Sequence, residues 1–340
     1  MPTIGVPQSA LHRAFDEIQT SGHFTEGKYT RLFEDAITRW CDMPAVSVSN
    51  CGTGLFAVLR SIPKRSGVAV VSANTFFATA AMAKEAGFKV VGSDCSKDDF
   101  CLTAAMLDRY APGNTDVVIL THVGGGVAED YERIAEWCKA RKVFLLEDAA
   151  HALGVGSDSM VNPCAGWLGD AAVFSLYGTK SVPIGEGGAV VSNDPALVEQ
   201  VRTFCNYGKR RVGGVVSYTG TGFNFRISEW QAAIGYLQMK RLPEIMERRA
   251  QAAYALSQVV EPMVKSDDSN WYKYIVSADF PAVRLAGQVY AASDQLTASF
   301  GLDGAFPNAA WVARHHKCLP IEEGLYDGMT AVEIEDYLGV

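Results

Sequence analysis

Seven short, nearly unbroken apolar runs recur between residues 46 and 192: VSVS from Val46, VAVVS from Val68, KVVGS from Lys89, DVVIL from Asp116, VFLLED from Val143, AAVFS from Ala171 and GAVVS from Gly188. They are rich in valine and too short for helices, so they read as strands, and their continuous rather than alternating apolarity means that both faces are covered. The stretches between them, FATAAMAKEAG, EDYERIAEWCKARK and PALVEQVRTFCNYG, space their apolar residues as helices do. Strands alternating with amphipathic helices predict an α/β fold, a sheet of seven strands covered by helices. After Asn224 the pattern turns to two long helical stretches, ISEWQAAIGYLQMKRL and IMERRAQAAYALSQVV, separated at Pro243. Proline is tolerated in a first helical turn and not in a helix interior, so a domain boundary is expected there: a large domain over 1–242 and a small C-terminal α+β domain over 243–340. The latter holds one strand-like run, WYKYIVSA from Trp271, and a terminal helix announced by Thr330 and Glu333 at capping-box spacing.

The formal net charge of -8 is spread along the chain, which excludes a general attraction to nucleic acid or to anionic membrane. No apolar run approaches the roughly 20 residues that cross a bilayer, and the start MPTIGVPQSALHRAFDEIQ lacks a basic segment followed by an apolar one, so a cytoplasmic protein is expected. Eight cysteines stand at 41, 51, 95, 101, 138, 164, 205 and 318 without metal-site spacing and are expected to be buried free thiols.

The chemistry centres on FSLYGTKSVPIGEGG, Phe174 to Gly188, in which Lys180 follows the carboxyl end of a buried strand. In open α/β sheets that edge is where ligands bind, and a desolvated lysine amine there can condense with a carbonyl. Gly185, Gly187 and Gly188 allow the backbone to approach a ligand or itself. VSVSNCGTGLFAVLRS reads as strand, tight turn and helix; Gly52, Thr53 and Gly54 at the helix start suit a phosphate, although an ordinary strand-to-helix turn explains the glycines equally well. In VFLLEDAAHALG, Asp148 ends another strand, where a carboxylate is costly without a cation, and His151 follows. That cation can be the protonated ring nitrogen of pyridoxal phosphate (PLP), whose aldehyde a lysine holds. The competing readings are a helix cap for Asp148 and a satisfied half-buried ring for His151. Phe76 and Phe77 could face a planar cofactor or simply pack in the core, and Ser175 could add a hydroxyl to the phosphate site.

In order along the chain, SGHFTEGKYTRLFEDA, NCGTGLFAVL, ANTFFATAAMAKEAGFKVV, THVGGGVAEDYERIAEWC, FLLEDAAHALG, GDAAVFSLYGTKSVPIGEGGAVVSND, VRTFCNYG and GFNFRISEWQAAIGYLQMKRL resemble the DegT/StrS group of fold type I PLP-dependent sugar aminotransferases over roughly residues 20 to 245. The resemblance implies a mostly parallel seven-stranded sheet, with Lys180 holding the cofactor and Asp148 pairing with its ring nitrogen. It also implies His151 near the ring hydroxyl, Phe76 stacked on the ring, and Gly52, Thr53 and Ser175 on the phosphate. Asn224 in GFNFR matches an asparagine that reaches the phosphate of a neighbouring subunit, which implies a homodimer with shared sites. The implied reaction moves an amino group from a donor such as L-glutamate, through pyridoxamine phosphate, to a keto sugar, expected to be nucleotide-linked. Alternatives are a keto-cyclitol, an unactivated sugar or another ketone as acceptor, or a PLP-fold protein that regulates without catalysis. Lys209, Arg210 and Arg211 are candidate diphosphate contacts, with a solvated loop the better reading of that run. Two departures stand out: Cys51 where the family has serine, and THVGGG in place of a Tyr-Gly pattern. The C-terminal third diverges most. A lysine at 180, where dehydratase relatives carry histidine, favours transamination.

Overall fold

The computed structural model describes residues 5–63, 66–156, 164–265, 269–291 and 306–340. All seven apolar runs form strands of one sheet: β1 (Ala45–Val48), β2 (Gly67–Ser72), β3 (Phe88–Ser93), β4 (Thr115–Thr121), β5 (Phe144–Asp148), β6 (Ala171–Ser175) and β7 (Gly188–Val191). Their spatial order is β1-β7-β6-β5-β4-β2-β3. Pairs β2–β3, β2–β4, β4–β5 and β5–β6 are parallel, whereas β7 runs antiparallel to both β6 and β1. Six strands therefore point one way, and the segments after β1, β2, β4, β5 and β6 leave the sheet along one edge.

Helices cover both faces, as the unbroken apolarity of the strands requires. On one side α3 (Cys51–Ser61), α4 (Phe77–Glu85) and α7 (Pro195–Phe204) enclose Val48, Val71, Ile119, Val173 and Val190. On the other, α1 (Gln8–Ser21) and α2 (Lys28–Cys41) bury Ile18, Phe33 and Ile37 against Phe174 and Val191. A third cluster joins Val70, Val118 and Leu120 to α5 (Ala104–Tyr110) and α6 (Tyr131–Arg141), and includes Ile275, Tyr290, Phe306 and Cys318 from the C-terminal region. The diverged C-terminal segment thus packs directly against the sheet side.

The run Lys209–Arg211, expected as a loop, lies in a hairpin of β8 (Lys209–Val212) and β9 (Val215–Tyr218). Its two-residue turn uses Gly213 and Gly214 at φ of 56° and 83°, a backbone that glycine adopts without strain. Helix α8 (Glu229–Met239) opens with a Ser228–Gln231 capping box, and α9 (Leu242–Ser257) carries Pro243 in its first turn, where its missing N–H costs nothing. WYKYIVSA contains β10 (Tyr274–Ser277), paired antiparallel with β11 (His316–Leu319) after α10 (Pro307–His315). The terminal α11 (Ala331–Leu338) has the capping box read from Thr330 and Glu333. All eight cysteines are free thiols, seven of them buried. No helix among the described residues is long and apolar enough to cross a membrane.

Candidate active site

Two carboxylates follow one another on β5 and meet opposite fates, because successive strand residues face opposite sides of the sheet. Glu147 is fully buried and accepts from Tyr131 Oη at 2.5 Å, Gly166 N–H at 2.6 Å and Gly169 N–H at 2.8 Å, with His122 Nε2 also at 2.8 Å. Asp148, 3% exposed, has weaker company: the Thr79 hydroxyl at 2.5 Å on Oδ2, and the Ala150 N–H at 3.2 Å and Cys51 thiol at 3.7 Å on Oδ1. No basic side chain of the described residues pairs with it. A buried carboxylate without a cation is costly, so Asp148 fits a site that receives one. The cap reading is met only locally, by a turn at Ala150; no helix follows among the described residues up to 156.

His151 is buried beneath two aromatic rings, 4.4 Å from the Tyr272 centroid and 5.4 Å from that of Tyr290. The Gly124 N–H donates to its Nδ1 at 3.4 Å, which leaves the proton of the neutral ring on Nε2. Burial, reinforced by the positive charges of Lys180 and Lys273, holds its pKa well below the usual histidine value. Lys180 stands in the loop between β6 and β7, half-buried, with Nζ 4.5 Å from the centroid of Tyr272. Lys180 and Asp148 both act on the Cys51 thiol: burial, and then Asp148, pushes its pKa well up, and Lys180 opposes them. Lys180, Asp148, His151 and the start of α3 thus meet at one sheet edge.

At that start, Asn50 Oδ1 accepts the Thr53 N–H at 2.9 Å while Thr53 Oγ1 accepts the Asn50 N–H at 3.2 Å, a reciprocal cap. The Thr53 hydroxyl is also engaged with the Asn50 carbonyl at 2.8 Å and with Ser49 Oγ at 3.0 Å. The Gly54 N–H goes to the Asn50 carbonyl at 3.1 Å. Of the anion-binding groups expected here, the N–H groups of Cys51 and Gly52 therefore remain, at the positive end of the helix. Gly54 has a packing role instead: a Cβ there would lie 2.5 Å from Val173 Cγ1. Gly188 lets the backbone approach itself, since its Cβ would fall 2.8 Å from the Asn50 carbonyl carbon. Ser175 ends β6, buried, its Oγ accepting from the Tyr177 N–H at 3.4 Å. Phe76 precedes α4 with its side chain 53% exposed, and Phe77 is 43% exposed. Neither ring is core. Asn224 is exposed on the strip whose Phe225 carbonyl accepts the Ser49 N–H at 2.7 Å. Arg210 pairs with Glu199 at 3.7 Å on the exposed hairpin, in keeping with the solvated reading of that run.

Residues 8–282 match the model of the DegT/DnrJ/EryC1/StrS aminotransferase family. The chain belongs to this family. As a DegT/StrS aminotransferase it is 29% identical over 275 residues to the UDP-4-amino-4,6-dideoxy-N-acetyl-beta-L-altrosamine transaminase of Helicobacter pylori, covering 76% of this chain and 71% of that protein. The crystal structure of the aminotransferase TlmJ from Streptoalloteichus hindustanus superposes with a TM-score of 0.86 at 27% identity, covering 100% of this chain and 99% of that one. A putative sugar aminotransferase of Streptococcus pneumoniae, solved in its PLP form, shares the fold with a TM-score of 0.84 at 20% identity, covering 99% and 96%. The chain is a PLP-dependent aminotransferase with the fold expected from its strands.

Sequence reasoning on this aminotransferase missed Thr79, Tyr272, Tyr290 and Asn270. Asn270 Nδ2 donates to the carbonyls of His151 at 2.6 Å and Leu153 at 2.9 Å, while the Asn270 and Lys273 N–H groups donate to the carbonyls of Gly125 and Gly124, each at 2.8 Å. The glycine run of THVGGG is thus the docking rail for the C-terminal segment, with Gly124 and Gly125 at φ of 78° and 120°. A Cβ on Gly125 would lie 2.6 Å from the Tyr272 amide nitrogen.

Proposed function

We propose that this enzyme transfers an amino group from an amino acid, L-glutamate foremost, to a nucleotide-linked keto sugar in amino-sugar biosynthesis. The observation that carries the reading is the meeting of Lys180, an unpaired buried Asp148 and the two free N–H groups of α3 at one sheet edge. When bound, PLP supplies an electron sink for the carbon being deprotonated. The chain's own residues then have distinct tasks. Lys180 Nζ would hold the cofactor's aldehyde and, as a free amine, would take and return the proton of the substrate carbon. Asp148 would keep the ring nitrogen protonated, Thr79 fixes the orientation of that carboxylate, and His151 would offer its Nε2–H to the ring hydroxyl. Phe76 would cover the ring. Gly52, Thr53, Gly54 and Ser175 form the phosphate turn; Gly52 contributes an N–H, Thr53 and Gly54 shape the helix start, and Ser175 adds its hydroxyl.

The acceptor assignment draws on the Helicobacter relative, whose name describes a UDP-linked amino sugar. The same reading places the protein in the cytoplasm as a homodimer in which Asn224, exposed on its strip, reaches the phosphate of the partner's site. It also divides the chain at Pro243 into a cofactor-binding part and a C-terminal part that shapes the sugar pocket. Incubation of the PLP-loaded protein with glutamate and a panel of free sugars, cyclitols and nucleotide-linked keto sugars, read by mass spectrometry, tests the reading. Amination confined to nucleotide-linked sugars is expected. Amination of a cyclitol or free sugar alone would transfer the enzyme to the alternative acceptors.

A further inference from the structure

Tyr272 belongs to the strip with no assigned function, yet its ring touches two of the site's chemical groups. The Lys180 Nζ lies 4.5 Å from its centroid, the His151 ring 4.4 Å, and the Thr179 hydroxyl 3.3 Å from the phenol oxygen. Its backbone is held from three sides. Its N–H donates to Asn270 Oδ1 at 2.8 Å, and the Gly124 and Gly125 carbonyls dock the residues on either side. From α9 comes Arg249, 4% exposed, whose guanidinium donates to the carbonyls of Asn270 at 3.0 Å, Trp271 at 2.7 Å and Tyr272 at 3.2 Å. Burying an arginine against three carbonyls is expensive, and its pKa falls to about 10 because burial outweighs the opposing charges of Glu323, Tyr272 and Glu322. Such an arrangement fixes the strip rather than stabilising it cheaply.

We propose that Tyr272 is a positioning residue for Lys180, its ring face and hydroxyl holding the amine at the place to which it returns after each transfer. Lysine has four rotatable bonds, and a preorganised anchor removes part of the entropy of bringing its amine back to the reacting carbon. An ammonium over an aromatic face is attracted by the ring quadrupole, and a phenol oxygen can accept from the same amine. Burial alone would raise the Tyr272 pKa. It is nevertheless lowered, because the charges of Lys180 and Lys273 and the hydrogen bonds from Thr179 and Lys180 outweigh burial. The groups facing the phenol are Lys180 and Thr179 from the β6–β7 loop, His151 from the turn after β5, Arg249 from α9, and Lys273 on its own strip; Tyr290 stacks on the far side of the same cluster.

The inference rests on the proposed role of Lys180, and the test separates the two. In the apo protein, the ultraviolet tyrosinate titration of wild type minus that of Tyr272→Phe isolates one phenol. It should ionise below the ordinary value of 10 and move up in Lys180→Met. Tyr272→Phe should bind PLP non-covalently as wild type does, yet capture it covalently more slowly and lose kcat with KM nearly unchanged. Removal of one hydrogen bond to a charged group corresponds to roughly ten- to hundredfold. Thr179→Val, on the exposed side of the phenol, should shift the titration in the same direction by less and guards against a folding defect in the first variant. If Tyr272→Phe captures PLP on Lys180 at the wild-type rate and no low tyrosinate step disappears, the inference is overturned while Lys180 stands. If PLP is captured on a different lysine, the reading of Lys180 itself fails.

Discussion

Gly52 and Gly54, two residues apart on one helix start, should respond to the same substitution in opposite ways. At Gly54 an alanine Cβ would lie 2.5 Å from Val173 Cγ1, 3.2 Å from Val48 Cγ2 and 3.3 Å from Val190 Cγ2. Ordinary carbon contacts are about 3.5–4.0 Å, and a β-branched side chain on a buried strand has little rotamer freedom with which to give way. Overpacking of this kind costs about 1–3 kcal/mol, and the severe overlap with Val173 puts it near the top of that range. The alanine recovers about 1 kcal/mol of helix propensity, leaving a net loss of about 2 kcal/mol. At Gly52 the nearest atom to the new Cβ is Asn50 Oδ1 at 3.3 Å, so Gly52→Ala should change stability by less than about 0.5 kcal/mol. Its methyl would stand beside one of the two free N–H groups, so PLP should bind about tenfold more weakly, roughly 1.4 kcal/mol. Urea unfolding of the apo variants, with an unchanged m-value, and PLP titration separate the two effects. Gly54→Ala with wild-type stability would refute the packing argument. Gly52→Ala with wild-type PLP affinity would remove the phosphate from this turn.

Asp148→Asn keeps the shape of the side chain and removes its charge, so activity should fall about ten- to hundredfold while the urea midpoint stays within error; a fully active variant would reduce Asp148 to a turn cap. His151 and His316 are both held below the ordinary value of 6.5 chiefly by burial, so the unfolded chain takes up their protons first. The stability they contribute is complete above pH 6.5 and is lost as pH falls below it, by up to about 1.4 kcal/mol per pH unit for each ring. His151→Gln should flatten that decline, and an equally steep urea-midpoint curve in the variant would show that His151 is not buried neutral. Mixing inactive Lys180→Ala with inactive Asn224→Asp should restore activity, because a mixed dimer has one site with both defects and one with neither. An active monomer in sedimentation, or verified mixed dimers without activity, would exclude the shared site.

The sheet was legible because its strands are buried on both faces and leave unbroken runs such as VAVVS and AAVFS. The edge where chemistry gathers was legible because Lys180 and Asp148 are residue types that seldom follow such runs without a reason. Two features escaped. In the hairpin Lys209–Tyr218 the first strand reads KRRV and the second is exposed throughout, so neither carries an alternating apolar pattern of period two; only the Gly213–Gly214 pair marked it. Tyr272 lies 92 residues from Lys180 and 121 from His151, and WYKYIVSA announces a strand without saying which loop it will meet. The glycines of THVGGG were the available signal, since positive φ values at Gly124 and Gly125 free two carbonyls to dock that strip. Gly54 was legible as glycine but not as packing, because its role depends on three valines from three strands.

Borohydride reduction of the PLP-loaded protein, followed by digestion and mass spectrometry, reports directly which amine holds the cofactor. The expected result is a single modified peptide containing Lys180, absent when Lys180→Ala is treated in the same way although that variant still binds PLP. Modification of another lysine, or an unmodified wild-type protein that still transfers amino groups, would contradict the assignment of Lys180.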